Sequence, residues 1–182
     1  MEIVSGINRD CKDAIGGVNK VYLFSWVKYS RSQIVINDNV LTSFPESNVY
    51  EFETIGDVQF NEDTQEEDGG KFYNISLSFK IGNYSDAEKL LKKNVRAVVL
   101  DRNGSFRLLG AFNGLFCTKV GKETGSNKSD FNGFKIEFEG KELRESLFFY
   151  DLEIITGGDT TDLYASSDLI SSTSVLSSAT FY

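Results

Sequence analysis

Alternating apolar and polar residues predict several β-strands in this chain. Residues 71–81 alternate throughout, as expected for a strand with one buried face. Residues 49–53 and 134–139 show the same alternation over shorter lengths. In the longest of these segments the apolar positions are Tyr73, Ile75, Leu77, Phe79 and Ile81.

Two other segments are apolar almost without interruption. Residues 21–29 (VYLFSWVKY) and 95–100 (VRAVVL) predict strands that are covered on both faces. A turn at Asn103-Gly104 follows the second segment, because these residues adopt positive φ at little cost. Strands at residues 33–36 and 40–41 flank a turn at Asn37-Asp38-Asn39, which predicts a short hairpin. Further strands are predicted at residues 58–60, 105–109, 115–120 and 147–155.

One short α-helix is predicted at residues 85–93. Ser85 and Glu88 have the spacing of a capping box, in which each side chain bonds to the backbone amide of the other residue. Leu90 and Leu91 give the helix an apolar side, and Lys92 and Lys93 suit its C-terminal end.

These elements predict a mainly β fold, either a β-sandwich or a barrel, with this single helix. Residues 1–156 are expected to form one domain. Residues 157–182 differ in composition, being rich in Ser and Thr and without Lys or Arg, and such a segment cannot build a core alone. We expect it to be an extended C-terminal arm that contacts another subunit.

Composition excludes several kinds of chemistry. The chain has no His, which removes the commonest general base and the usual zinc ligand. Cys11 and Cys117 have no metal-site spacing, and two buried free thiols are favoured over a disulfide. Glu51 and Glu53 alternate along a predicted strand, which is typical of a solvated face rather than a catalytic pair. We expect no enzymatic activity, no cofactor and no metal site.

Net charge and hydropathy limit the partners. The formal net charge is −8, which argues against wrapping nucleic acid. The start of the chain does not resemble a signal peptide, and no apolar run approaches the ~20 residues of a membrane span. We therefore expect a protein made in the cytoplasm that does not contact a membrane.

Two polar segments are predicted to be loops. Residues 61–70 are strongly acidic, but they lack the ligand spacing of a Ca²⁺ loop, so we expect a solvated hairpin tip or a loop that orders against a neighbour. Residues 122–133 are predicted to form a long polar loop.

Three further stretches are distinctive: EEDGGKFYNISLSF (66–79), RAVVLDRNGSFRLLG (96–110) and TGSNKSDFNGFKIEFEGKE (124–142). Together they resemble structural virion proteins of tailed phages that infect Bacteroidota, including the crAss-like phages. The order of strands around the helix is similar to the fold of phage tail-tube and head–tail connector proteins. The resemblance implies a structural subunit of a neck or tail ring around a DNA channel, located in the virion.

This resemblance implies that the partners are copies of the chain itself and adjacent neck, tail or portal-side proteins. DNA would pass nearby, without specific binding, through an acidic bore. The expected intersubunit contacts are Glu62, Asp63, Glu66, Glu67, Asp68, Lys122, Ser126, Lys128, Leu163, Leu169, Ile170, Val175 and Phe181. An alternative function is a glycan- or receptor-binding module at the tail tip, with exposed aromatics at residues 22–29 or at Tyr50.

Overall fold

The computed structural model describes residues 16–67, 69–82, 87–125, 130–157 and 164–165; for Glu67, Lys92, Tyr164 and Ala165 it describes the backbone alone. These residues are mainly β, which confirms the predicted fold class. The strands are β1 (Val18–Ser25), β2 (Val35–Asn37), β3 (Val40–Ser43), β4 (Tyr50–Phe52), β5 (Gln59–Glu67), β6 (Gly70–Ile81), β7 (Asn94–Asp101), β8 (Phe106–Leu109), β9 (Leu115–Glu123), β10 (Gly133–Glu142), β11 (Leu147–Phe149) and β12 (Tyr164–Ala165). The helical segments are two 3₁₀ helices, Arg31–Gln33 and Ala87–Lys92, and one turn of α-helix, α1 (Glu153–Thr156).

The strands form one branched sheet that folds over itself into two layers. The inner half-sheet has the order β12-β4-β1-β7-β8-β11-β3-β2, and the polar half-sheet has the order β9-β10-β6-β5. The half-sheets join where Asn94 and Val95 of β7 pair with Phe116 and Leu115 of β9. Residues 110–114, here called the corner, carry the chain from β8 in one half-sheet to β9 in the other.

Two hydrophobic clusters form the core, one on each face of the inner half-sheet. The first lies between the half-sheets and includes Leu23 and Val99. The second lies on the opposite face, beneath β2, β3 and α1, and includes Phe24 and Val98. Residues 21–24 of β1 are all buried, which confirms a strand covered on both faces. This strand ends at Ser25 and not at Tyr29 as predicted. Beyond Ser25 the backbone carbonyl of Val27 accepts a hydrogen bond from the Arg96 side chain instead of from a neighbouring strand.

Two predicted tight turns are confirmed. The β2–β3 hairpin turns at Asp38 and Asn39, whose φ angles are 45° and 66°. In the β7–β8 hairpin, Gly104 has φ 84°, and the Asp101 carboxylate accepts hydrogen bonds from the backbone N–H groups of Asn103 and Ser105.

The prediction of an acidic loop at residues 61–70 was wrong for most of its length. Residues 61–67 continue β5, which pairs with β6 from Gln59↔Ser78 to Glu67↔Gly70. Backbone pairing overrides the polar composition here, because β5 lies at an edge where side chains can remain in water. The predicted loop at residues 122–133 is also shorter, since Lys122 and Glu123 belong to β9.

Two helical details differ from the predictions. The described part of the expected helix, Ala87–Lys92, has 3₁₀ geometry, which is common in such short segments. Ala87 and Leu90 are buried, whereas Leu91 is 44% exposed. The predicted strand at 147–155 stops at Phe149, because the Asp151 carboxylate accepts the Glu153 N–H and the chain turns into α1. The capping residue Ser85 lies outside the described residues.

Within the described ranges, no helix has both the length and the apolar character that crossing a membrane requires.

Candidate assembly interface

β5 forms one open edge of the polar half-sheet. It pairs with β6 on one side, and none of the described strands pairs with it on the other. Asp63 and Glu66 are exposed on this strand. An edge strand of nine residues presents a row of backbone donors and acceptors to which another strand can bind.

Glu62 has an internal role that sequence reasoning did not predict. It is half-buried, and both carboxylate oxygens accept a hydrogen bond from the backbone N–H of Ser146, at 3.1 and 3.2 Å. Glu62 therefore attaches β5 to the segment that leads into β11. Among the predicted acidic contacts whose side chains are described, Asp63 and Glu66 remain exposed.

β9 forms the opposite edge of the polar half-sheet. Its residues 117–123 pair with β10 but with no described strand on the far side. The 3₁₀ helix Ala87–Lys92 lies beside β9 without adding a strand. Lys119 and Lys122 are exposed on β9, and the Lys122 ammonium lies 5.8 Å from the centre of the Phe134 ring.

The outward face of the polar half-sheet carries paired charges. Lys80 contacts Glu123 at 2.8 Å, and Glu137 contacts Lys135 at 2.8 Å and Lys119 at 3.6 Å. Hydrogen bonds from these lysines lower the pKa of Glu123 and of Glu137. Cationic and anionic groups alternate across this face, which differs from the acidic surface expected for a channel lining.

The two long hairpins point to opposite ends of the polar half-sheet. The β5–β6 connection lies between Glu67 and Gly70, at the start of β6. The β9–β10 connection lies between Glu123 and Gly133, near Ile81 at the end of β6. β6 has 12 residues, which corresponds to roughly 40 Å of extended chain. The predicted contact regions are therefore separated within one subunit.

A buried arginine fixes the corner. Arg96 is fully buried, and its guanidinium donates hydrogen bonds to the carbonyls of Ala111 and Val27, at 3.0 and 2.7 Å. Its central carbon lies 4.8 Å from the centre of the Tyr29 ring and 5.4 Å from that of Phe44. Burial lowers the pKa of Arg96 to about 10, which leaves the group cationic at neutral pH.

A buried glutamate binds the same corner from the other side. Glu142 is 2% exposed, and its Oε1 accepts hydrogen bonds from the backbone N–H groups of Phe112 and Asn113, at 3.0 and 2.8 Å. Burial raises the pKa of Glu142, although these backbone donors oppose the shift. Its Oε2 has no hydrogen-bond partner among the described residues.

Glu142 also lines an open depression of about 410 Å³ at this end of the half-sheet. The Lys141 ammonium lies 3.4 Å from the centre of the Phe72 ring in the same depression, and Leu143 at its rim is 61% exposed. This arrangement mixes cations, an apolar rim and a buried carboxylate, so it selects no single class of ligand.

The aromatics named for glycan binding do not form an exposed platform. Tyr22 is 4% and Tyr50 is 9% exposed, and Trp26 donates its indole N–H to the carbonyl of Phe112 at 3.1 Å. Cys117 is a buried free thiol, as predicted, and burial raises its pKa to about 11. The described part of the chain contains no cluster of three groups that could hold a metal ion.

Several predicted contacts lie outside the described residues, namely Asp68, Ser126, Lys128, Leu163, Leu169, Ile170, Val175 and Phe181, as does the side chain of Glu67. Cys11, predicted to be a buried free thiol, also lies outside them. Sequence reasoning also missed Arg96 and Glu142. The signal for Arg96 was a charged residue inside an apolar strand, which is rare unless its charge is paired or hydrogen-bonded.

No protein-family model, curated protein or solved structure matches the chain.

Proposed function

We propose that this protein is a structural subunit of a phage neck or tail ring, which closes by pairing β5 of one copy with β9 of the next. The observation that carries the proposal is the polar half-sheet, a four-stranded unit in which no described strand pairs with the outer side of β5 or of residues 117–123 in β9. A contact between two different edges is heterologous. Repeating it forms a closed ring when the successive rotations between copies add up to a full turn.

Strand direction is compatible with this contact. The four strands of the polar half-sheet alternate in direction, so β5 and β9 run in opposite directions. A stagger of about four residues between copies, of the kind that closing a sheet requires, would bring Asp63, level with Asn74, beside the neighbour's Lys119, level with Ser78. Rotation about an axis near the strand direction preserves the strand directions. β5 would therefore meet the neighbour's β9 as an antiparallel pair, which continues the existing pattern through the interface.

Charge also favours pairing between these unlike edges. Residues 62–67 of β5 contain four acidic residues and no basic one. β9 carries Lys122 and Lys119, whose contact with Glu137 is long at 3.6 Å, and its Glu123 is paired with Lys80 at 2.8 Å. Contact between two β5 edges would place like charges together, which is destabilising. Charge thus selects the heterologous contact over a two-fold one.

The same geometry determines which face would line the channel. One face of the polar half-sheet packs on the core through residues such as Leu77 and Phe138. A bore must therefore be lined by the opposite face, where Lys80, Lys135 and Glu137 form ion pairs. This lining would present compensated charge to passing DNA and few unpaired cations, which keeps phosphate binding weak.

Charge reversal at the two edges tests the proposal. Asp63→Lys and Lys119→Glu, whose side chains lie on the same outward face of the polar half-sheet, are each expected to abolish rings in sedimentation velocity and negative-stain images, and the double variant should restore them. Glu153→Lys makes the same change of charge as Asp63→Lys on exposed α1, away from both edges, and should leave rings intact. A wild-type chain that remains monomeric at high concentration would contradict the proposal.

A further inference from the structure

The strand β12 lies at the outer edge of the inner half-sheet. Tyr164 pairs with Tyr50 of β4 and Ala165 pairs with Glu51, both in parallel. The other neighbour of β4 is β1, so β12 occupies an edge that would otherwise be open. Addition of a strand to a sheet edge is a common way to bind an extended peptide, because backbone hydrogen bonds supply the contact.

This edge lies beside the interface proposed above. The chain leaves β4, forms a bridge between Thr54 and Ile81, and then enters β5. The Ile55 N–H donates to the Lys80 carbonyl at 2.7 Å, which fixes this connection against β6. A copy seated on β5 would therefore lie close to the β4 edge, within reach of an extended segment.

We propose that the β4 edge receives the C-terminal segment of a second copy of this chain, so that neighbouring subunits exchange β12. This inference rests on the ring proposed above and adds the site at which the arm binds. The occupant is identified by β12 itself, since identical copies each carry a strand that already fits this edge.

The described contact between β12 and β4 is short. Two residue pairs join the described residues of β12 to β4, and a single backbone hydrogen bond contributes about 1 kcal/mol to stability. The same bonds form when the strand comes from a neighbour, so exchange loses no contact. Within a ring it also adds a second attachment to each pair of copies, which raises the effective concentration of the first.

The chain beyond β12 has the length and composition of an arm. Residues 166–182 contain no Lys or Arg and include Leu169, Ile170, Val175, Leu176 and Phe181. A segment of this length reaches at most roughly 55 Å when extended. Seven residues, 157–163, connect α1 to β12, and short connections of this kind favour exchange of a terminal segment between copies.

Mixed disulfide formation tests the exchange. One pool of the full-length chain carries Glu51→Cys and another carries Ala165→Cys, both in a background of Cys11→Ser and Cys117→Ala. The pools are mixed before assembly and oxidised gently. We expect a covalent dimer linked through positions 51 and 165, identified by peptide mass spectrometry, at several times the yield obtained with Glu53→Cys in place of Glu51→Cys.

The outcomes separate this inference from the proposed ring. If the mixed pools give no 51–165 dimer above the Glu53→Cys control, exchange is overturned. It is also overturned if a single chain that carries both Glu51→Cys and Ala165→Cys forms the disulfide only within itself. Sedimentation of the same samples reports ring formation independently. Rings without the mixed disulfide overturn the exchange alone, whereas a failure to form rings counts against the proposed function.

Discussion

The corner and the β5 edge use backbone polar groups in opposite ways. At the corner, the carbonyls of Ala111 and Phe112 accept hydrogen bonds from Arg96 and Trp26, and Glu142 accepts two backbone N–H groups. Along β5, none of the described strands satisfies the outward backbone groups. The corner is closed by charges withdrawn from water, whereas the edge remains open and carries its charges in water.

This difference indicates separate roles for the two regions. Removing a buried charged group leaves its partners unsatisfied, so the corner should determine stability. Exposed charges contribute little to folding but can select a partner, so the edge should determine association. The following predictions are ordered by their expected effect on the free energy of unfolding.

Arg96→Ala should cause the largest loss of stability. The variant removes a fully buried side chain and leaves two carbonyls unsatisfied, and we expect a loss of about 3–5 kcal/mol. Denaturant unfolding followed by Trp26 fluorescence measures this loss. The exposed Arg144→Ala is the control and should unfold like the wild type; equal stability of both variants would refute a structural role for the corner.

Glu142→Ala should have the next largest effect. It removes the acceptor for the backbone N–H groups of Phe112 and Asn113, which we expect to cost about 2 kcal/mol. Chemical denaturation at neutral pH measures this cost. Exposed Glu145→Ala serves as the matched control. A loss of stability in Glu142→Ala but not in Glu145→Ala supports the role of Glu142 as the acceptor at the corner.

The pH dependence of Glu142→Gln should isolate the buried carboxyl. Because folding raises the pKa of Glu142 above its usual value of 4.5, its contribution to stability is complete below that value and is lost as the pH rises through the folded pKa. The stability of the wild type relative to Glu142→Gln should therefore decline over this range. A constant difference in unfolding free energy between about pH 4 and about pH 8 would exclude the shift.

Lys80→Ala should have a much smaller effect than either corner variant. Its ion pair with Glu123 is exposed to water, and exposed pairs contribute little to folding. We expect a small change in melting temperature that disappears at high salt. A loss as large as that of Glu142→Ala would mean that the outward face contributes to stability as strongly as the corner.

Salt should weaken the ring without weakening the fold. Screening shortens the range of electrostatic interactions from about 10 Å at 0.1 M to about 3 Å at 1 M salt, which weakens attraction between β5 and β9. Sedimentation should show fewer rings at high salt, while the melting temperature of the subunit stays nearly constant. Rings that resist salt would indicate that backbone pairing alone holds the interface.

Much of the fold followed from local patterns in the sequence. Alternation predicted β6 and β10, and uninterrupted apolar runs predicted β1 and β7, because burial on one face or two leaves a distinct signature. The turns at Asp38 and Gly104 followed from backbone preference. These features depend on neighbours in the sequence, so one sequence is enough to predict them.

The polar features depended on distant partners and were harder to predict. Residues 61–67 have the composition of a loop, but β6 supplies the pairing that makes them a strand. Glu62 was predicted as an intersubunit contact, yet its carboxylate is bound to Ser146, which lies far away in the sequence. Arg96 and Glu142 act at the corner through partners that no local pattern identifies.

The pairing of β1 with β7 has a consequence for the order of events during synthesis. Val21 pairs with Phe52 of β4 on one side and with Val99 of β7 on the other. A ribosome therefore supplies the first partner of β1 early and the second only after most of the domain has been made. Proteins dominated by such distant pairings fold in milliseconds to seconds, and their apolar strands stay exposed meanwhile. One edge of β1 would therefore stay open on the nascent chain until β7 emerges.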